Sequence, residues 1–153
     1  MLFAEHSARV PLIMAGPGVA QGQAANACLL VDLLPKIVKI GGGSLDMFGM
    51  PVDGRSLSPL ARGEDGGCSE AIGEYCAKIT GHPVFMIRWG DMKYFHCDSD
   101  PAQLYDLAND PLELENLADH SADRLIAEEF AQEVVQRWDS AGLRDKVIGT
   151  QKN

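Results

Sequence analysis

Two short apolar runs in the first third of the chain predict strands. Residues 10–15 form the first run, and Gly16-Pro17-Gly18 closes it, as expected for a buried strand that ends in a turn. Residues 27–31 form the second run. Only nine residues precede the first run, so this chain offers no neighbouring strand upstream of it. A buried strand of the parallel type needs such neighbours, which suggests a truncated fold.

A helix is predicted after the second run, over residues 33–40. Asp32 stands at its N-cap position, and Pro35 falls in its first turn, where a missing N–H costs nothing. A start at Ala27 would place Pro35 in the helix interior, at a cost of about 3 kcal/mol. The glycines 41–43 should end the helix. The turn-rich residues that follow, 44–67, mark a boundary between layers.

Four short strands with aromatic residues predict an antiparallel sheet in the second half of the chain. Gly90-Asp91 separates two of them and suits a two-residue hairpin, because glycine takes the positive φ that such turns require. The predicted strands are residues 72–77, 83–88, 92–96 and 103–107.

An apolar stripe at a spacing of four residues predicts a helix near the C-terminus. Ile126, Phe130, Val134 and Trp138 form the stripe, which should pack on the sheet. Ala141-Gly142 should end the helix, and residues 145–153 should follow as a polar tail.

The charge balance argues against several classes of partner. Thirteen Lys and Arg stand against 22 Asp and Glu, a net charge of −9, and the basic residues are scattered. Nucleic acid and anionic membranes need clustered cations, so neither is an expected partner. The sequence holds no run of membrane-spanning length and no secretory signal at its start, which predicts a soluble cytoplasmic chain.

The four cysteines favour free thiols in a reducing compartment. Cys28, Cys68, Cys76 and Cys97 are separated by 40, 8 and 21 positions, with no CxxC pair. This spacing excludes a zinc ribbon and a dithiol redox centre.

A dense group of metal-ligating residue types follows one predicted strand. His96, Cys97, Asp98 and Asp100 lie within five residues. They would share one face only if the strand continued, whereas Ser99-Asp100-Pro101 favours a turn. A turn with one buried or site-lining histidine is therefore favoured over a metal site.

Other candidate motifs favour structural interpretations. Gly16-Pro17-Gly18 lacks the third glycine of a dinucleotide fingerprint, and no serine stands in a GxSxG elbow. The acidic residues around Tyr105 are interpreted as a solvated turn and helix start. They are Asp106, Asp110, Glu113 and Glu115. For Arg137-Trp138-Asp139, a helix end that packs its Trp in the core is favoured over a helix end that meets a polar ligand.

In their order along the chain, several segments resemble the C-terminal part of type I sulfatases. The first, Glu5-His6-Ser7-Ala8-Arg9-Val10-Pro11, resembles the E-x-S-x-R-V-P segment of that family. Gly73-Glu74-Tyr75, residues 95–104 and Arg137-Trp138-Asp139 resemble choline sulfatases in particular. The remaining matches are Gly16-Pro17-Gly18, residues 31–35, Asp53-Gly54-Arg55-Ser56-Leu57, residues 87–94 and residues 104–111.

The resemblance implies an α/β fold of the alkaline-phosphatase-like type. Residues 1–66 would be a remnant of its core, and residues 67–153 a C-terminal subdomain with an antiparallel sheet and a helix. It also implies hydrolysis of sulfate esters by a formylglycine, made in the motif C-x-[PA]-x-R, beside a calcium-type ion. None of the four cysteines stands in that motif, and the metal carboxylates and catalytic Lys of the family would lie upstream of Met1.

The main hypothesis is therefore a C-terminal sulfatase fragment that by itself has no catalytic residue, metal or cofactor. The resemblance implies that Asp139 and Trp138 bind a choline-like cation, in this or a neighbouring subunit, that His96 faces the substrate and that Arg9 braces the site. The chain would self-associate or join the missing N-terminal part. The alternative is a standalone non-catalytic domain that binds itself or a partner sulfatase.

Overall fold

The computed structural model describes residues 3–64, 69–76 and 81–151, and the chain forms two compact units. The sheet unit comprises Met1–Val10 and Ala71–Asn153, and the second unit comprises Pro11–Glu70. The predicted boundary between residues 66 and 67 lies outside the described residues. The helices are α1 (Glu5–Ala8), α2 (Leu33–Ile40), α3 (Ser58–Ala61), α4 (Arg124–Arg137) and α5 (Ser140–Gln151).

The four predicted strands are present and form one sheet in the order β1-β2-β3-β4. Strands β2 and β3 pair antiparallel, as do β3 and β4. The hairpin prediction is confirmed, because Trp89 pairs with Met92 across the turn and Gly90 has a φ of 58°. The strands are β1 (Glu70–Tyr75), β2 (Val84–Trp89), β3 (Met92–Cys97) and β4 (Asp100–Asp106).

The alternation of side chains gives the sheet two different faces. On the helix face, β2, β3 and β4 contribute a core against which α4 packs two fully buried residues, Phe130 and Val134. Phe130 stacks on Trp89 and Tyr94, with ring centroids 4.4 and 5.5 Å apart. The apolar stripe of the last third therefore packs on the sheet as predicted. The strand residues of this core are Phe85, Ile87, Tyr94 and Leu104.

The opposite face carries a smaller apolar cluster, formed by Met86, Phe95 and Tyr105 with Phe3 and Leu107 packed against it. The first residues of the chain cover part of this face. An added Cβ on Gly73 would lie 2.8 Å from the Phe3 ring, so a glycine at this strand position allows the ring to approach. Next to this cluster lies a buried lysine, Lys93.

Two predictions at the helical end of the chain are wrong. Helix α4 ends at Arg137, and Trp138 is already extended, with φ −128° and ψ 135°. A second helix, α5, then runs through Ala141-Gly142 and most of the predicted polar tail. The break lies at Trp138–Asp139 because Asp139 caps the new helix, as described below. Within the described residues no helix is both long and apolar enough to cross a lipid bilayer.

In the Pro11–Glu70 unit, helix α2 has the predicted bounds and ends at Gly41, but both predicted strands are wrong. Residues 10–15 are irregular and exposed except for the half-buried Met14, with Ile13 88% exposed. Residues 27–29 are irregular, and Leu30–Asp32 forms a 3-10 helix, as does Leu45–Phe48 further on. A strand needs a partner for its amides, and the described residues of this unit pair no strand with these segments.

Asp32 does not cap α2 with its side chain, contrary to the prediction. Its buried carboxylate instead accepts from the backbone N–H of Leu29 at 2.8 Å and of Arg55 at 2.7 Å. Gly54 lies against the same segment, and a Cβ at this position would fall 2.0 Å from the Val31 carbonyl oxygen. The Asp32 carboxylate thus holds the Asp53-Gly54-Arg55 turn against the start of α2, and Gly54 allows the close approach.

Candidate functional site

A cleft opens where the helix face of the sheet meets the junction of α4 and α5. His96 reaches it from the end of β3, where it pairs with Phe85 of β2. Opposite it on β4 the register shifts, so that Pro101 and Ala102 together face this one residue. Such bulges change the direction in which a side chain points. The half-buried His96 ring lies 6.5 Å from the rings of both Phe85 and Tyr94.

Trp138 forms the second aromatic wall of the cleft. It is half-buried, and its ring stacks on Phe85 with centroids 4.8 Å apart. Its indole N–H donates to Glu74 Oε1 at 2.5 Å. The core interpretation and the site interpretation of this residue are therefore compatible, because one part of the indole packs on Phe85 while the residue also lines the cleft.

Asp139 is exposed and caps helix α5. Its Oδ1 accepts from the Gly142 N–H at 3.0 Å, and its carbonyl accepts from the Leu143 N–H at 2.9 Å. A Cβ on Gly142 would lie 2.2 Å from Asp139 Oδ2, so the glycine makes room for the carboxylate. Asp139 thus has a structural role that the sequence analysis did not anticipate, beside its place on the cleft wall.

Asp98 joins the two sides of the cleft. Its Oδ2 accepts from the Ser140 hydroxyl at 2.5 Å, and its Oδ1 lies 3.1 Å from His96 Nε2. The hydrogen bond from Ser140 and, to a smaller extent, the contact with His96 lower the pKa of Asp98. Asp98 therefore carries a negative charge through the neutral range, in the cleft that Asp139 also lines.

The cleft has a volume of about 520 Å³ and combines aromatic rings with carboxylates. A carboxylate supplies charge and a ring supplies a negative face, which together suit a cation that has no N–H to donate. The lining residues are His96, Asp98, residues 134–137, Trp138, Asp139 and Ser140.

Three of the four predicted substrate residues thus line one cleft, and Arg9 does not. Arg9 is exposed just after α1, in the N-terminal segment that covers the other face of the sheet. The parts played by Asp98, Ser140 and Glu74 were not predicted from the sequence. Ser140 carried no signal, whereas Asp98 and Glu74 stood in segments that had already been singled out.

The described residues contain no group of three or more His, Cys, Asp or Glu side chains that could hold a metal ion. Asp98 and Ser99 form the turn near His96, and Asp100 and Pro101 belong to β4. Cys28, Cys76 and Cys97 are free thiols, and Cys68 lies outside the described residues. Burial raises the pKa of Cys28 and of Cys76, which keeps both thiols protonated and weakly nucleophilic.

Comparison with known proteins places the chain among sulfatases. The family model "N-sulphoglucosamine sulphohydrolase, C-terminal" matches residues 1–139. The chain is 38% identical over 142 residues to the choline-sulfatase of Rhizobium meliloti, covering 91% of this chain and 28% of that protein. It is 34% identical over 138 residues to arylsulfatase K of Homo sapiens, covering 77% of this chain and 24% of the relative.

The fold agrees with these matches. A solved 2-O GAG sulfatase structure aligns with a TM-score of 0.60 and 28% identity, covering 91% of this chain and 29% of that structure. The predicted fold class, a C-terminal piece of an alkaline-phosphatase-like sulfatase with an antiparallel sheet plus a C-terminal helix, is confirmed, and the structure adds a second helix, α5. The chain spans only 24–29% of the length of these three relatives.

Proposed function

The chain belongs to the sulfatase family as a domain of the N-sulphoglucosamine sulphohydrolase C-terminal type, and we propose that it is the C-terminal part of an enzyme that hydrolyses a choline-like sulfate ester. The observation that carries this proposal is the convergence of His96, Trp138 and Asp139 on one cleft. Similarity to a choline-sulfatase over 91% of the chain supports the substrate class.

The cleft would bind the quaternary ammonium end of the ester. Such a group offers no N–H, so recognition depends on carboxylate charge and aromatic faces. Asp139 and Asp98 supply the charge, and Trp138 and His96 supply the rings. The cleft would complete a substrate site whose reacting end lies in the catalytic part of the same or a neighbouring subunit.

The nucleophile and the metal would come from the part of the enzyme outside this chain. In this family a formylglycine supplies the nucleophile and a calcium-type ion stabilises developing charge. The residues of this chain do not fit either group, because no cysteine stands in C-x-[PA]-x-R and the described carboxylates and histidines form no ligand set. No step of hydrolysis is therefore assigned to this chain.

The Pro11–Glu70 unit would join the α/β catalytic part. Four apolar side chains at helical spacing along Leu30–Asp32 and α2 are exposed to solvent. A helix normally turns such a stripe towards a core. A surface of the α/β part would bury it, and residues 1–66 would then contribute to the core of the sulfatase. The four residues are Leu30, Leu34, Ile37 and Ile40.

An activity assay tests whether the nucleophile and the metal lie outside this chain. The 153-residue chain should give background rates with choline sulfate and with nitrophenyl sulfate at any calcium concentration. Turnover that survives repurification would contradict the proposal. An in-frame C-x-[PA]-x-R in the DNA upstream of Met1 would support it, whereas a stop codon in that frame would favour the alternative, a non-catalytic domain that binds itself or a partner sulfatase.

The substrate cation is tested by Asp139→Asn in the complete enzyme. Asparagine keeps an oxygen for the Gly142 N–H and removes only the charge. We expect KM for choline sulfate to rise by about tenfold, the equivalent of one lost exposed charge contact of roughly 1.4 kcal/mol, with little change for nitrophenyl sulfate. Asp145→Asn, an exposed charge on α5 away from the cleft lining, is the matched control. Equal effects of Asp139→Asn on both substrates would refute the pocket.

A further inference from the structure

The junction between α4 and α5 consists of Trp138 and Asp139, and the hydrogen bonds within the two helices do not fix the angle between them. At the end of α4, the Trp138 N–H donates to the Val134 carbonyl at 3.0 Å. At the start of α5, the Leu143 N–H donates to the Asp139 carbonyl at 2.9 Å. Each bond stays within its own helical turn, and Trp138 between them is extended. The orientation of the junction therefore depends on contacts with the sheet.

Side chains on both sides of the junction make such contacts. Before it, the Trp138 ring stacks on Phe85 with centroids 4.8 Å apart. After it, the first residue of α5, Ser140, donates its hydroxyl to Asp98 Oδ2 at 2.5 Å, although these two residues are 42 positions apart in the sequence. Leu143 adds an apolar contact with the core in the first turn of α5. The Ser140 hydroxyl is thus a polar tie between α5 and the sheet.

Asp98 is a fixed anchor for this tie. It lies in the turn between β3 and β4, where Cys97 pairs with Asp100. Its other oxygen, Oδ1, lies 3.1 Å from His96 Nε2, so both oxygens have a partner. The hydrogen bond from Ser140 lowers the pKa of Asp98, and the carboxylate is charged at neutral pH. A charged acceptor makes a stronger hydrogen bond than a neutral one.

The Ser140 hydroxyl has no evident part in the helix that it begins. The side chain that accepts an N–H at the start of α5 is that of Asp139, which binds the Gly142 amide. Serine is also a weaker helix former than alanine. The hydroxyl is directed instead at the turn of the sheet, so its effect is on the placement of α5 and not on the helix itself.

This placement matters for the cleft, because Ser140 directly follows Trp138 and Asp139. A tie at Ser140 limits how far these two residues can move from the end of β3, where His96 lines the same cleft. We infer that Ser140 is a positioning residue that holds Trp138 and Asp139 in the arrangement that binds an organic cation. The cation rests on the proposed function, whereas the hold on the junction does not.

Amide hydrogen exchange in the 153-residue chain tests the hold on the junction. Ser140→Ala removes only the hydroxyl. We expect the Gly142 and Leu143 amides, which bind Asp139, to exchange about fivefold faster, because the junction opens more often. A role confined to the helix predicts the opposite sign, since alanine is the better helix former. Ser140→Thr keeps a hydroxyl and should restore slow exchange.

Another serine provides the matched control. Ser121→Ala removes an exposed hydroxyl ahead of α4 and should leave the Gly142 and Leu143 amides unchanged. The β3 amides should exchange alike in all variants if the sheet stays folded. Unaltered or slower exchange of the two α5 amides in Ser140→Ala would overturn the inference. Equally fast exchange in Ser140→Thr would also overturn it, because the hydroxyl would then not be the cause.

Kinetics of the complete enzyme test the consequence for binding. Ser140→Ala should raise KM for choline sulfate about fivefold and leave kcat within about twofold, because only the cation end of the substrate is held less well. KM for nitrophenyl sulfate should not change, and Ser140→Thr should restore KM for choline sulfate. An unchanged KM together with faster exchange would overturn the positioning role.

Failure of the proposed function would look different. The unaltered complete protein would then hydrolyse no choline sulfate, and the role in cation binding would fail with the proposed function. The exchange experiment would still decide whether Ser140 holds the junction.

Discussion

The two compact units of the chain differ in how far they bury their apolar side chains. In the sheet unit, Phe85, Ile87 and Leu104 are fully buried between the strands and α4. In the Pro11–Glu70 unit, Ile13 is 88% exposed and Ile40 74% exposed. The sheet unit contains the partners of its core residues, whereas the Pro11–Glu70 unit buries Leu57 and Ala61 but leaves many of its large apolar side chains exposed. Apolar content alone therefore does not show which part of a chain forms its own core.

The difference has an energetic meaning. Full burial of one Leu or Ile side chain contributes about 1.5–3 kcal/mol relative to exposure. The sheet unit gains this burial free energy from contacts within the chain. The four exposed apolar residues along Leu30–Asp32 and α2 do not gain it. They would gain it only against another surface, which the proposed catalytic part would supply.

The largest expected effect compares two phenylalanines. Phe130→Ala should lower the free energy of unfolding of the sheet unit by about 3–5 kcal/mol, because it empties the space between Trp89 and Tyr94. Phe48→Ala in the other unit is the matched control and should change it by less than about 0.5 kcal/mol, since Phe48 is partly exposed. Urea unfolding followed by tryptophan fluorescence measures this, because both tryptophans lie in the sheet unit. Similar losses of unfolding free energy in the two variants would contradict the difference between the two units.

A glycine pair tests what closes the Pro11–Glu70 unit. Gly54→Ala should destabilise this unit by about 1–3 kcal/mol, because the new Cβ collides with the Val31 carbonyl oxygen. The Leu29 and Arg55 amides, which bind Asp32, should then exchange faster in hydrogen-exchange experiments. Gly22→Ala, where no atom lies within 4 Å of the added Cβ, should leave them unchanged. If both variants behave alike, the close approach of the turn is not what closes the unit.

At the cleft, a smaller effect should show that capping and substrate charge are separate functions of Asp139. Asp139→Ala should lower the stability of α5 by about 1 kcal/mol, because the Gly142 N–H loses its acceptor. Asp139→Asn should retain most of that stability. Thermal unfolding followed by circular dichroism compares the two, and equal losses would mean that the charge, not the cap, stabilises α5.

The smallest expected effect is the pH dependence that Asp98 contributes. Its pKa in the folded chain is lowered from the ordinary value of 3.8, first by Ser140 and then by His96. Its contribution to stability is therefore fully present above that ordinary value and is lost as the pH falls through the lowered pKa. Asp98→Asn should flatten the fall of the melting temperature below about pH 4. Melting temperatures that fall equally steeply with pH in both proteins across that range would contradict the prediction.

Local patterns predicted much of the sheet unit. The strand pattern of residues 83–96 and the hairpin glycine are local signals, because the two strands and the turn that joins them are adjacent in the sequence. The structure confirms both. The stripe on α4 was also predicted, because its partner strands lie in the same chain. The helix boundary near Trp138 was missed, because a cap formed by Asp139 is a weaker signal than the apolar stripe that runs past it.

The candidate site was predicted as residue types but not as an arrangement. His96, Trp138 and Asp139 stood in segments that the residue types had already singled out, and the resemblance to a family assigned them to a substrate site. Their convergence depends on the pairing of His96 with Phe85 and on the stacking of Trp138 on the same ring. Whether they bind a choline-like cation stays a prediction.

The sequence by itself determined the strands of the sheet, the hairpin at Gly90, the bounds of α2 and the family, because each depends on neighbouring residues or on ordered motifs. The tertiary structure alone decided which polar residues are buried. Glu113 was interpreted as part of a solvated acidic run, and that is wrong: its carboxylate is buried against Lys93 and Glu5. Burial of this carboxylate depends on Lys93 and on the backbone N–H of Glu5, and Glu5 lies 108 residues away, beyond the reach of any local pattern.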